Sequence, residues 1–351
     1  MSGEIKPYVI RTLYEITFKM NSCSVEPLNT VAVNLSHLES CSPEPQHLTI
    51  TVLLCLVFLV GFVLNSFSLW VFCYRISHWT SSNVLQFHLA LSDAIITPAA
   101  PLMATYFIKS NHWTFGSFLC KAKIALLTMH LYGSILFLML ISVHRYIVVV
   151  QYKKTSPMKQ VKFVHKLCGG IWLLLLASGT AIFGLFNTSN VGNQTLCLSI
   201  HQNEYMQVYF TVNLFILILG FLVPFAVTVV CYILLASSVS RINTTTKKGR
   251  AIKSKSHKTV AICLAIFGFC FMPIALVRTI AVVVKMFFPN ECKLLVKLET
   301  AYYICWIFAG ANCCVDPLLY CFVSRDFNKC LRTSLKTGDD SRLALKSSHL
   351  L

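Results

Sequence analysis

Apolar residues fall in seven long runs, roughly 49–74, 82–107, 117–149, 165–186, 206–240, 256–284 and 298–322, with short polar stretches between them. Each run is long enough to cross about 30 Å of hydrocarbon as a helix rising ~1.5 Å per residue. The pattern predicts an all-α membrane protein, a seven-transmembrane helix bundle over 49–322. A tail over 1–48 precedes it. An amphipathic stretch, Phe322 to Leu331, opens a second tail over 323–351 and predicts a short helix after the last span. Neither half repeats the other and there is no twelve-span pattern, which argues against a transporter.

Charge sharpens this picture. The 351 residues are 56% hydrophobic and only 12% charged, about half the charge of a soluble domain. The net charge of +17 sits mainly in loops. Residues 151–166 carry five lysines and no acid, and 241–258 carry Arg241, Lys247, Lys248, Arg250, Lys253, Lys255 and Lys258, again with no acid. The loop 187–205 has neither Lys nor Arg. The positive-inside rule then puts the amino terminus outside, in the plasma membrane, with the first span as signal-anchor. Met20 offers an alternative start. The sequons at Asn34, Asn187 and Asn193 fall outside and are expected to be glycosylated, whereas Asn243 falls inside.

Charges within the spans are costly and therefore informative. Deep in the apolar runs stand two acids, Asp93 and Asp316. Arg145 closes the third span, 25 residues after Cys120. That is ~37 Å of helix, one bilayer with its interfaces. One helix would carry a thiol at one face and an arginine at the other, which suits a signalling helix more than a channel.

Seven motifs follow in order: Gly61 and Asn65 in GFVLN, LALSD ending at Asp93, HRY over His144, Arg145 and Tyr146, Trp172, Pro224 with Tyr232, FGFCFMP over Phe267 to Pro273, and NCCVDPLLY over Asn312 to Tyr320. Together, over about 48–332, they resemble the rhodopsin-like G-protein-coupled receptors. His144 replaces the usual acid, Phe271 the usual tryptophan and Asp316 the usual asparagine. With LYGSILF in the third span, these resemble the purinergic nucleotide branch and its dicarboxylate, leukotriene, lysophospholipid and tethered-peptide relatives. Two departures count against nucleotide recognition: Ala275 stands where a histidine is common, and Trp306 where an arginine is frequent.

The resemblance implies roles. His144, Arg145, Tyr146, Tyr232, Phe267, Phe271, Pro273, Asp316, Pro317 and Tyr320 would form the activation switch. Arg145 would engage a tyrosine or the G protein once the sixth span swings outward; neutral His144 would restrain it weakly, giving modest basal activity. Asn65, Ser134, Asn312 and Asp316 would share a proton, water or a sodium ion with Asp93. The natural disulfides are Cys120–Cys197, and Cys292 with Cys41 or Cys23; the other cysteines would be small apolar fillers. Cys330 is a palmitoylation candidate. The tail offers Thr333, Ser334, Thr337, Ser341, Ser347 and Ser348 as phosphosites for receptor kinases and arrestin.

The ligand follows from the outer charges. Lys123 lies one turn deeper than Cys120, and Arg278 and Lys285 share a face of the sixth span. Apart from Glu299, expected at the very edge of the seventh span, the outer halves of the spans hold no acid. An amine would find no deep partner there, whereas an anion would. Tyr302, Tyr303 and Trp306 would stack on a base or line an acyl slot. The reading is a receptor that binds an extracellular anion and activates a heterotrimeric G protein, with inner-loop cations facing that protein and membrane lipids. No metal-ligand cluster, phosphate loop or nucleophile constellation with the right spacing suggests an enzyme, and no cofactor is implied. The rivals are a constitutively active or decoy receptor, and a membrane transporter.

Overall fold

The computed structural model describes residues 45–150, 156–185, 188–191, 194–197, 206–241, 247–323 and 327. Seven helices in it are long and apolar enough to span a membrane: α1 (Leu48–Tyr74), α2 (Ser81–Ile108), α3 (Gly116–Val150), α4 (Val161–Gly184), α5 (Met206–Ser238), α6 (Lys253–Phe287) and α7 (Cys292–Tyr320). A hairpin, β1 (Ser189–Val191) against β2 (Gln194–Leu196), joins α4 to the chain before α5. The seven expected spans are all present. Helix α7 begins six residues earlier than its apolar run, because Lys293, Lys297 and Glu299 hide it from a hydropathy reading.

Helix α3 is the most enclosed of the seven. Leu53, Leu56 and Leu59 of α1, Leu173, Leu174 and Leu176 of α4, and Ile218, Leu219 and Ile233 of α5 are exposed. On a membrane helix such a face meets lipid.

Prolines shape the spans because each removes an N–H and strands the carbonyl four residues earlier. Pro98 strands Ala94 O, and the backbone of α2 turns out of regular helix over 95–98. Thr97 repairs the loss, its hydroxyl and its backbone N–H both donating to Ala94 O, at 2.8 and 3.3 Å. Pro317 strands Cys313 O inside α7. There the repair comes from another helix: Asn65 Nδ2 of α1 donates to Cys313 O at 2.7 Å and to Gly61 O at 2.9 Å. In α5 and α6 the helix widens to π geometry over Ile216–Leu222 and Phe267–Phe271, each segment ending two residues before a proline, Pro224 and Pro273. Local π turns are one way to re-satisfy the freed backbone.

Close approach accompanies the Asn65 clamp. A Cβ on Gly61 would lie 2.6 Å from Cys313 Cβ, so glycine is what lets α1 touch α7. A Cβ on Gly220 would lie 2.9 Å from the Tyr132 ring, which brings α5 onto α3.

Candidate functional site

The disulfide end of the bundle is covered by the hairpin. Cys120 on α3 is bonded to Cys197, just after β2. Thr195 ties β2 to the α2–α3 turn, its carbonyl accepting from Trp113 N at 2.8 Å and its N–H donating to His112 Nδ1 at 3.2 Å. That turn is tight, with Ser110, Asn111 and Gly116 all at positive φ. Trp113 Nε1 closes it by donating to Gly116 O at 2.8 Å. The Trp113 ring is thereby fixed over Lys123 Nζ, 4.8 Å from its centroid, with Tyr106 on another side at 5.2 Å. Stacked cation–π contacts of this kind suit a desolvated ammonium.

Beneath lies a cavity of about 590 Å³, counting its open mouth. Lys123, Tyr132, Tyr209, Arg278, Tyr302 and Trp306 contribute to its wall, and Cys197 to its rim. A second lobe of about 400 Å³ shares Leu131, Tyr132, Arg278, Tyr302 and Trp306 with it and continues among Ile135, Ile216, Leu217, Phe221 and Ile274 down to Phe271. The polar lobe and the apolar lobe meet at Arg278.

Arg278 Nη1 donates to Tyr132 Oη at 3.1 Å, and its guanidinium lies 5.9 Å from the Tyr209 centroid. Its Nε is buried without a hydrogen-bond partner. Among the described residues no carboxylate lies in salt-bridge range of it. Tyrosine hydroxyls orient the cation and leave its charge uncompensated, which favours an incoming anion.

Five of the six expected ligand residues line this cavity: Lys123, Arg278, Tyr302, Tyr303 and Trp306. Lys285 is buried two turns away on α6 and lines neither lobe. Glu299 does not sit at the edge of its span. Because α7 starts at Cys292, Glu299 lies two turns inside and is buried, accepting from Tyr303 Oη at 3.5 Å. Tyr132, Tyr209 and Asn213 also line the pocket; Tyr132 falls within LYGSILF, but none of the three is among the expected ligand residues. Tyr132 carries a signal, since 123, 124, 127, 128, 131 and 132 form one helical stripe.

Halfway down, the two deep acids meet, both wholly buried. Ser134 Oγ donates to Asp93 Oδ1 at 2.7 Å, and Asn312 Nδ2 donates to Asp316 Oδ2 at 2.9 Å. Ser92 Oγ lies 3.3 Å from Ser134 Oγ. All five residues expected in this ion or water site thus fall in one cluster, with Asn65 entering through Cys313. Two further residues join it, His130 and Cys313 itself.

At the opposite end Arg145 Nη2 donates to Ser82 Oγ at 2.8 Å, and Gln86 Nε2 also donates to that hydroxyl at 3.1 Å. His144 is buried. Tyr232 packs on His257 of α6, ring centroids 4.7 Å apart. Phe267 packs against Phe221, Phe225 and Phe271, linking the α5 and α6 π segments to the floor of the apolar lobe. Tyr320 is packed against Phe72 and Phe327. Cys292 is disulfide-bonded, but Cys41 and Cys23 lie outside the described residues. So do Asn34, Asn187, Asn193, Cys330, most of the stretch after the last span, and the tail phosphosites. Among the described residues nine cysteines within the spans are free thiols, as expected for apolar fillers.

A family model for the 7 transmembrane receptor (rhodopsin family) matches residues 64–320. The chain is 32% identical to purinoceptor 4 of Mus musculus over 296 residues, 83% of this chain and 80% of that receptor. It is 34% identical to purinoceptor 2 of Homo sapiens over 262 residues, 74% of this chain and 69% of that receptor. It is 29% identical to cysteinyl leukotriene receptor 2 of Sus scrofa over 330 residues, 93% of each chain.

Proposed function

The chain belongs to the rhodopsin family of seven-transmembrane receptors, and from that premise we propose that it answers an anionic ligand with an apolar body. It is a multi-pass membrane receptor and not an enzyme. Receptors of this family take an extracellular ligand, activate G proteins and generally need no cofactor.

The observation that carries the ligand class is Arg278: a half-buried side chain with a buried Nε, held by tyrosine, facing a cavity and without a carboxylate partner among the described residues. Lys123 supplies a second cation in the polar lobe. The relatives are named for purines and cysteinyl leukotrienes. A leukotriene joins carboxylates to an apolar chain, matching a polar lobe that opens into an apolar one. Trp306 leaves the site one cation short of what a polyphosphate would use, so the lipid mediator is the favoured class and the nucleotide the second.

The amino terminus and hairpin face outward, and Arg145 with the lysine-rich loops faces the G protein. Arrestin, receptor kinases and anionic lipids are further partners at that inner face. Lys285 acts outside the pocket. In the polar core, the oxygens of Asp93, Ser134 and Asp316 by themselves would suit a sodium ion.

The test is thermal unfolding of the purified receptor with leukotrienes, lysophospholipids, dicarboxylates, nucleotides and amines. An anion that raises the midpoint of the unsubstituted chain but not of Arg278→Ala supports the reading. Stabilisation by amines alone sinks it.

A further inference from the structure

The apolar lobe carries a polar pair of its own. Set aside Arg278, Tyr132, Tyr302 and Trp306, which it shares with the polar lobe, and the polar side chains left in its wall are Asn213 of α5 and Thr279 of α6. The remainder of that wall is aliphatic or aromatic. Asn213 is only 3% exposed. An amide buried against such a wall needs partners for its N–H groups and for its oxygen.

Thr279 decides which way that amide points. Its one hydroxyl proton goes to Ala275 O, 2.8 Å away. Thr279 Oγ1 can therefore only accept from Asn213, and Asn213 Nδ2 makes that long contact at 3.5 Å. Turning the amide over would set oxygen against oxygen. Asn213 Oδ1 is the atom left to the lobe, and no donor among the described residues reaches it. A buried carbonyl oxygen without a donor is costly, and a ligand that supplies one recovers the loss.

Position along the helices says where on the ligand that donor belongs. On α5, Tyr209, Asn213 and Leu217 follow one another a turn apart. Tyr209 lines the polar lobe and Leu217 the apolar one. On α6, Thr279 is the residue next to Arg278. Asn213 thus stands at the neck between the lobes, beside the point where an anion on Arg278 gives way to its apolar body.

We propose that Asn213, oriented by Thr279, is a specificity subsite that accepts a hydrogen bond from a hydroxyl on the apolar body of the ligand, a few carbons from the anion. The inference rests on the reading of Arg278 as the anion's partner and narrows the ligand to an oxygenated lipid acid. A plain fatty acid leaves the Asn213 oxygen buried and unpaired, and a site built around a hydroxyl rejects the analogue that lacks it.

The test uses the full-length receptor in nanodiscs and two probes: a cysteinyl leukotriene, and the same molecule with its chain hydroxyl replaced by hydrogen. Affinity is read from the unfolding midpoint as a function of probe concentration. The hydroxylated probe should bind the unsubstituted chain about tenfold more tightly than the deoxy probe. Asn213→Leu should reduce that preference to about twofold or less by weakening the hydroxylated probe alone. Thr279→Val, which frees the amide to turn, should lose part of the preference, and Arg278→Ala should weaken both probes. Equal affinity of the two probes for the unsubstituted chain overturns the subsite whatever the variants do, while a shared loss in Arg278→Ala leaves the anion reading standing. A preference that survives Asn213→Leu overturns the subsite as well. Binding of neither probe, or of both without regard to Arg278→Ala, overturns the anion reading and the subsite with it.

Discussion

Asn65→Ala tests the claim that α1 is clamped to α7 through a carbonyl that proline leaves without a donor. Asn65 Nδ2 reaches Cys313 O at 2.7 Å, and residue 317, four further on, is proline. Removing the amide strands that carbonyl in the membrane core. An unsatisfied buried acceptor costs ~1–3 kcal/mol in water-soluble proteins. Hydrogen bonds between membrane helices average nearer 0.6 kcal/mol, so the loss should be about 1–2 kcal/mol. At roughly 1–2 °C per kcal/mol for a chain of this size the unfolding midpoint falls by about 1–4 °C. The cavity left by the side chain and the lost bond to Gly61 O add to this drop, so the decisive assay is a double-mutant cycle. Pro317→Ala gives residue 317 an N–H that can serve Cys313 O within α7. In that background Asn65→Ala should cost at least ~0.5 kcal/mol less, read from unfolding midpoints in detergent, because cavity and Gly61 terms cancel in the cycle. Equal costs in both backgrounds would refute the stranded-carbonyl account.

Gly61→Val places a side chain where even a Cβ would sit 2.6 Å from Cys313 Cβ; it should lower surface expression and unfolding midpoint sharply, while Gly184→Ala, with nothing within 4 Å of its Cβ, leaves both near the unsubstituted values. Trp172→Phe removes the bond from Trp172 Nε1 to His88 Nδ1 at 3.0 Å and should cost ~1 kcal/mol in thermal stability, with no change in ligand potency after correction for expression. Arg145→Ala should abolish G-protein activation yet leave ligand binding within about threefold, which a binding assay run beside a nucleotide-exchange assay separates; retained activation would dismiss the switch role.

The fold was legible because hydrocarbon imposes length and apolarity on every span, and seven runs met both. What hydropathy hid was amphipathic helix: the first two turns of α7 carry Lys293, Lys297 and Glu299 and read as loop. Glu299 was misplaced for that reason. The pocket cations were legible by elimination, since Lys123 and Arg278 stand where a span can least afford an unpaired charge. Lys285 shares a helical face with Arg278, but seven residues of rise carry it past both lobes. Tyr209 and Asn213 were not legible, because an apolar helix does not announce which face meets a cavity. His130 and Cys313 were hidden differently. Each is an ordinary core residue on its own helix, and their meaning arises only where α3 and α7 meet, a relation that no spacing within one helix encodes.

The central claim is that an anion seated on Arg278 drives this receptor. The direct measurement is a G-protein activation concentration–response in cells expressing the chain or Arg278→Ala at matched surface levels, across leukotrienes, lysophospholipids, dicarboxylates, nucleotides and amines. A buried charge-assisted contact worth at least ~2 kcal/mol predicts an anionic agonist whose potency falls about thirtyfold or more in Arg278→Ala. An amine agonist, or an anionic one whose potency Arg278→Ala leaves unchanged, would contradict the account.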